Sequence, residues 1–379
     1  MRSRLPWLPL LALVPALLGG CSNLRYYART VGGQLDISRR AQPIEQVLAD
    51  PATDPVLRTK LEAVGRIRQF ATSELNLPED GYRTYADLGR PYVLWNVFAA
   101  PELSLEPKQW CFPVAGCVNY KGYFSQEDAA AYASSLRSEG YEVYLGGVPA
   151  YSTLGWFNDP VLNTFIHYPE PELARLIFHE LAHHVAYAKD DCVFNESFAT
   201  AVERAGLERW LDRNGAAGQR ETLEKAEVRR TAFYGLVGEY RERLREVYAS
   251  ARNDEEKRES KGQVLVDLRA AYERLKATWD GYRGYDAWFG DGPNNAQLAS
   301  ISVYTQHVPA FQQLLTSCSG DYPTFFERVR ALAKLPKSQR EARLRELHEG
   351  AEAIRKPEEE GRIAGAKRAS RPREPETPD

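Results

Sequence analysis

The 379 residues carry 49 Lys and Arg against 52 Asp and Glu, a net charge of −3, so no basic field favours nucleic acid. A chain of this length can bury one large core or two modest ones. Its first twenty residues stand apart: Arg2 and Arg4 precede an apolar run from Leu5 to Leu18 that is interrupted by Pro6, Pro9 and Pro15. Such a run is short for a bilayer span and reads as an export signal.

Leu18-Gly19-Gly20-Cys21 resembles the lipobox of bacterial lipoproteins, in which cleavage leaves a lipidated cysteine as the new N-terminus. An ordinary secretory signal or a short anchor helix is the alternative. The resemblance implies that Cys21 holds the protein on a membrane through acyl chains, at ~0.8 kcal/mol per buried methylene. Ser22 stands where an aspartate would signal inner-membrane retention, which implies the outer membrane of a bacterial envelope, facing the periplasm. Beyond Cys21 the cysteines are Cys111, Cys117, Cys192 and Cys318, an even count that suits disulfides in an exported chain. Cys111 and Cys117 enclose a short loop with Pro113 and Gly116, and their pairing leaves Cys192 with Cys318. Three pairings remain open to four cysteines, as do four buried thiols.

Residues 24–76 read as helix in two pieces, broken near Pro43 and Pro51. Residues 80–125, rich in Tyr, Val, Trp and Phe with turn residues between, read as strands. Ser125 opens a helix over 126–138, with Asp128 at the capping-box position, and Gly140 ends it. Tyr141, Val143 and Leu145 then alternate as a strand, giving a strand–helix–strand stretch. The small, aromatic segment 150–157 reads as an edge strand that pairs with substrate main chain, or equally as an interior strand or buried loop.

Pro169 and Pro171 mark the start of an apolar helix that carries His179-Glu180-Leu181-Ala182-His183. Residues four apart share a helix face, so both imidazoles can aim at one zinc ion with Glu180 beside them as general base. Leu173, Ile177, Phe178 and Leu181 imply burial, and burying these polar groups without partners would cost several kcal/mol. Two histidines bonded to core carbonyls are the alternative. Glu196 would be the third ligand, leaving a fourth position for water. The metzincin pattern is excluded by Ala186 and Lys189, which stand where Gly and His would be needed. His184 lies about 500° of helix from His179, hence roughly 140° away and outside the metal sphere. Asn195 reads as the cap of a second helix over 196–212, ending at Gly215. Thr200 or Glu203 on that helix could support a ligand histidine from behind, although a solvated pair with Arg204 suits Glu203 as well.

Residues 216–282, dense in Glu, Arg, Ala and Leu with a charged break at 253–256, read as a helical hairpin forming a solvent-exposed arm. C-terminal helices over 290–355 follow, with Asn294 and Asn295 either lining the site or capping. Tyr304 then offers either a donor to a developing oxyanion or a core residue. The tail 356–379 has no aromatic residue and reads as disordered.

Taken together, His179-Glu-Leu-Ala-His183, Phe194-Asn-Glu-Ser-Phe-Ala199, Tyr151-Ser-Thr-Leu-Gly-Trp-Phe157, Asn294-Asn-Ala, Tyr26-Tyr27 and Gly32-Gly33-Gln34-Leu35 resemble the bacterial putative aminopeptidase family over about residues 25–330. The resemblance implies zinc-dependent hydrolysis of peptide or protein substrates. The fold class expected is α+β: a mostly helical zinc-peptidase-like domain over 21–355, with a small mixed sheet before the motif helix and a long helical hairpin. Two other readings stand beside an aminopeptidase: a periplasmic endopeptidase of envelope proteins, and a non-enzymatic scaffold with a structural zinc. Asp159 and Glu203 are the candidates for holding a substrate's α-ammonium. Neither substrate sequence nor oligomeric state follows from the residues.

Overall fold

The computed structural model describes residues 10–112, 116–151, 153, 158–215, 218–290, 292–301 and 307–349, with side chains from residue 25. The N-terminal helix α1 (Leu10–Arg40) stops short of Pro43, whose missing N–H cannot extend it. A two-residue strand β1 (Gln42–Pro43) leads into α2 (Ile44–Ala49) and α3 (Pro55–Leu75). Asp54 caps α3 by accepting the N–H groups of Val56 and Leu57 at 2.9 and 3.0 Å, and Pro55 sits at the first turn where no donor is lost.

The strands follow: β2 (Thr84–Ala86), β3 (Leu94–Pro101), β4 (Trp110–Phe112), β5 (Gly116–Val118) and β6 (Lys121–Tyr123). Helix α4 (Gln126–Ser138), strand β7 (Tyr141–Val148) and strand β8 (Val161–Leu162) complete this part of the chain. The main sheet is antiparallel in the order β6-β3-β7, and β3 runs alongside β7 from Leu94↔Val148 to Pro101↔Tyr141. Side chains along β3 alternate, as the pleat requires. Trp95, Val97 and Ala99 pack with Ala129, Ala133 and Leu136 of α4, while Phe98 and Ala100 lie on the opposite face. A second sheet is mixed: β2 pairs antiparallel with β1 and parallel with β8.

The remaining helices are α5 (Glu170–His183), α6 (Cys192–Asn214), α7 (Gln219–Ala249), α8 (Asp254–Lys276), α9 (Asn295–Ile301), α10 (Val308–Ser317) and α11 (Tyr322–Ala333), with a further helical stretch over 337–349. The fold is α+β and mostly helical. Helices α3, α5 and α6 meet around Phe70, Phe178 and Trp210, with ring centroids 5.0–6.5 Å apart. Gly206 of α6 faces Leu75 and Phe178, so a β-carbon there would press on both. Among the described residues no helix is long and apolar enough to cross a membrane.

Two expectations are corrected here. The second helix begins at Cys192 rather than 196, because Asp191 is its cap and accepts the Phe194 N–H at 3.1 Å. Asn195, the expected cap, instead turns its amide back to bracket Ala188, accepting its N–H at 2.7 Å and donating to its carbonyl at 2.9 Å. The hairpin of α7 and α8, whose turn is a capping box between Asn253 and Glu256, is not a free arm. Phe233, Val237, Leu244, Leu268 and Tyr272 bury one side of it against Leu105, Phe289 and Leu298. Lys261 fastens it further, donating to the Glu102 carbonyl at 2.8 Å and pairing with Glu142. Composition gave the hairpin but neither its buried positions nor the residues they meet.

Candidate metal centre

Helices α5 and α6 pack side by side and carry every residue of the centre. His179 and His183 are one turn apart on α5, and both turn Nε2 toward Glu196 of α6, at 3.4 and 3.8 Å from its two oxygens. One donor atom from each of these three residues lies within 4.8 Å of the others. A tetrahedral ion with ligand bonds near 2.0–2.1 Å needs donors about 3.3 Å apart, so the set closes on such an ion with small side-chain adjustments. The donor chemistry, two imidazoles and a carboxylate, suits zinc and leaves one position open.

Electrostatics fit the same reading. Burial pushes the His183 pKa down to about 4, against the nearby Glu196, so its ring is neutral and offers a lone pair. His179 is buried too, but the carboxylates of Glu196 and Glu203 overcome that penalty and hold its pKa well above the usual range. Two carboxylates flanking one imidazole call for positive charge at that point. The Glu196 carboxyl, despite its burial, is held below its ordinary value by His183 and His179. Burial raises Glu180 to about 7, a value poised for proton exchange near neutrality.

Glu203 resolves the choice left open in the sequence. Its Oε2 lies 2.9 Å from His179 Nδ1, and its other oxygen is 3.5 Å from Arg175 and 3.7 Å from Arg230. Seven residues after Glu196 it is still on the α6 face turned to α5, so it fixes the ring that Nε2 presents. Arg175 lies one turn before His179, and Arg230 comes from α7, so the docked hairpin reaches the centre. Replacing Glu203 with Ala should weaken zinc binding roughly 10- to 100-fold, read by competition with a metal-sensitive dye. An unchanged affinity would show that the ring needs no such partner. Thr200 is buried on the same helix.

A cavity of about 600 Å³ opens beside the three ligands and Glu180. Its far wall is α1, held by Gln34, which accepts a hydrogen bond from Tyr151, and by close packing of Gly33 on the Phe124 ring. A β-carbon at position 33 would collide with that ring, which accounts for glycine there. The sheet supplies Leu94, Asn96 and Val148, and the β4–β5 hairpin supplies Phe112 and Val118. Cys111 and Cys117 are bonded across this hairpin. Asp190, in the link between the ligand helices, accepts the Cys117 N–H and touches Gly116, a position with φ of +76°.

Tyr120 and Tyr187 line the same cavity and were not singled out by sequence, since each comes from a loop with no periodic signal. Burial, reinforced by Glu196, pushes the Tyr120 hydroxyl far up; burial, Cys192 and Glu196 push Tyr187 up to about 12. Both stay protonated donors at neutral pH. The other expected positions fall elsewhere. Cys192 faces the cavity and Cys318 lies in the core, each a free thiol, so the second expected bridge is absent. Asn294 and Asn295 do not line the cavity. Asn295 donates to the carbonyls of Pro101 and Glu102 at 3.0 and 2.8 Å, and Asn294 donates to that of Val143 at 3.2 Å, clamping α9 to the sheet. His184 turns away to Asp159, 3.5 Å off. Tyr304, Ser152 and 154–157 lie outside the described residues, as does the side chain of Cys21.

The model of the family described as putative aminopeptidase matches residues 25–344, and the chain belongs to that family. No curated protein and no solved structure matches it.

Proposed function

We propose, from membership of that family and the geometry of the centre, that the protein hydrolyses peptide bonds with a zinc ion held by His179, His183 and Glu196. The carrying observation is that three metal-ligand donors and a carboxylate with a raised pKa face one cavity. When bound there, zinc would polarise the scissile carbonyl and lower the pKa of a water toward 7. Glu180 takes the proton from the attacking water and passes it to the departing amine, a transfer helped by the burial that raises its carboxyl above the ordinary range. Glu203 keeps the His179 ring oriented by accepting from its Nδ1–H. Retention of a free carboxylate beside the ligands argues against a purely structural ion.

A donor for the developing oxyanion is also needed, and Tyr120 is the phenol placed with both Glu180 and Glu196 around it. Tyr120→Phe should lower kcat roughly 10²- to 10³-fold. If Tyr187→Phe or Tyr304→Phe does so and Tyr120→Phe does not, the assignment moves to that residue. Digestion of a peptide library by purified protein of measured metal content tests the reaction itself. Lipidation at Cys21 would place the centre at the surface of a bacterial envelope, with the outer membrane facing the periplasm as its site. Fractionation of cells carrying Cys21→Ala tests that: the protein should shift from membrane to soluble fraction.

A further inference from the structure

The cavity wall has a distinctive chemistry. Among the described residues that line it, the carboxylates are Glu180 and Glu196, and none is a lysine or arginine. Both carboxylates are already assigned, one to proton transfer and one to the ion. Apart from the imidazoles of His179 and His183, the other polar groups in the wall are uncharged side chains such as Thr30, Gln34 and Asn96, and most of the rest is aliphatic or aromatic. Of the internal residues outside the described set, Asp291 alone is acidic. The two residues that could have bound an α-ammonium are turned to other work: Glu203 sits behind His179, and Asp159 faces His184 while accepting the Thr153 N–H at 2.9 Å. At the mouth, α1 continues the apolar wall outward through Val31 and Leu35, which are 58% and 43% exposed.

An ammonium on the substrate would therefore shed its water here with no unassigned carboxylate to pair with, and a carboxylate held away from the ligand set would find no lysine or arginine; either loss costs several kcal/mol and disfavours a charged side chain. An apolar side chain loses nothing and gains about 25 cal/mol for each Å² it buries. We propose that this cavity takes a polypeptide segment by bulky, uncharged apolar side chains, and that it requires no free amino terminus. The cut rests on the peptidase reading above; the preference rests on the cavity alone.

Two measurements separate those. In the first, the zinc-loaded full chain is given peptides with Phe, Leu, Lys or Asp next to the cut, each with a free and an acetylated N-terminus. Phe and Leu peptides should exceed the charged ones in kcat/KM by ~10-fold or more, with acetylation leaving the rate comparable. Cleavage that vanishes on acetylation, or that is as fast for Lys or Asp as for Phe, overturns the proposal. In the second, the same peptides are bound to Glu180→Gln and followed by fluorescence anisotropy. Should the wild type cut nothing, the peptidase reading falls, and this binding series alone decides the preference: tighter binding of Phe peptides upholds it and equal binding overturns it. Leu35→Glu, at a half-exposed position where the fold tolerates charge, should raise KM for the Phe peptide and lower it for the Lys peptide. Unaltered KM values for both would overturn the assignment of this wall to substrate.

Discussion

Glu180→Gln should lower kcat/KM for peptide hydrolysis by roughly 10²- to 10⁴-fold while zinc content stays stoichiometric. Gln fills the same space and still accepts a hydrogen bond, but it cannot take a proton. The pH profile gives the second half of this result. In the wild type the base works only when ionised, so kcat/KM rises with pH. Burial, opposed by His179 and reinforced by Glu196, Asp159 and Glu203, sets the carboxyl at about 7, and a cation at the neighbouring ligands pulls it back toward the ordinary 4.5, so the acid limb falls between those values. That limb should disappear in the variant's residual rate. Stability responds with the opposite sign. A carboxyl whose folded pKa is raised contributes stability at low pH that is lost as pH rises from 4.5 toward 7. Chelated Glu180→Gln should therefore be more stable than chelated wild type at pH 8, by an amount on the order of a few kcal/mol at most. A variant with intact turnover would remove Glu180 from the chemistry altogether.

Arg340→Ala should destabilise the protein by roughly 3–5 kcal/mol, measured by denaturant unfolding of the zinc-loaded chain. Arg340 is buried, with its guanidinium 2.8–2.9 Å from Asp191 and donating also to the carbonyls of Ala333 and Leu335. Asp191 in turn caps α6, one turn before Glu196. Removing the arginine leaves the buried Asp191 carboxylate without its paired charge, which accounts for a cost far above that of a surface pair. Zinc affinity should fall with it, because the start of α6 carries a ligand. The double variant Asp191→Asn with Arg340→Met should recover part of the loss, since no charge then remains buried. A loss below about 1 kcal/mol for Arg340→Ala would mean that Asp191 finds another partner.

What the sequence displayed and what it hid follow a physical division. His179, Glu180 and His183 are legible because a helix repeats every 3.6 residues, so spacing alone gives direction. Glu196 was placed by its distance along the chain, although the helix carrying it starts a turn earlier than its neighbours suggest. Asn195 looked like a cap because Asn is a good one; tertiary bracketing of Ala188 used its amide instead. Tyr120, Tyr187 and the wall formed by α1 have no local signature, since they meet the ligands only through packing across the molecule. The docking of α7 and α8 was hidden for the same reason: a helical composition states neither which face is buried nor against what. Cys192 and Cys318 were matched by elimination, an argument that knows nothing of the cavity and core in which each thiol sits.

The latch between Asp191 and Arg340 joins positions 149 residues apart. A growing chain exposes the histidine helix and its partner long before the segment that anchors them has emerged, and at ~5–20 residues per second the wait lasts many seconds. The start of α6, which carries Glu196, therefore lacks one of its buried anchors until nearly the whole chain is present, so a chain cut short of Arg340 should hold that helix end less firmly.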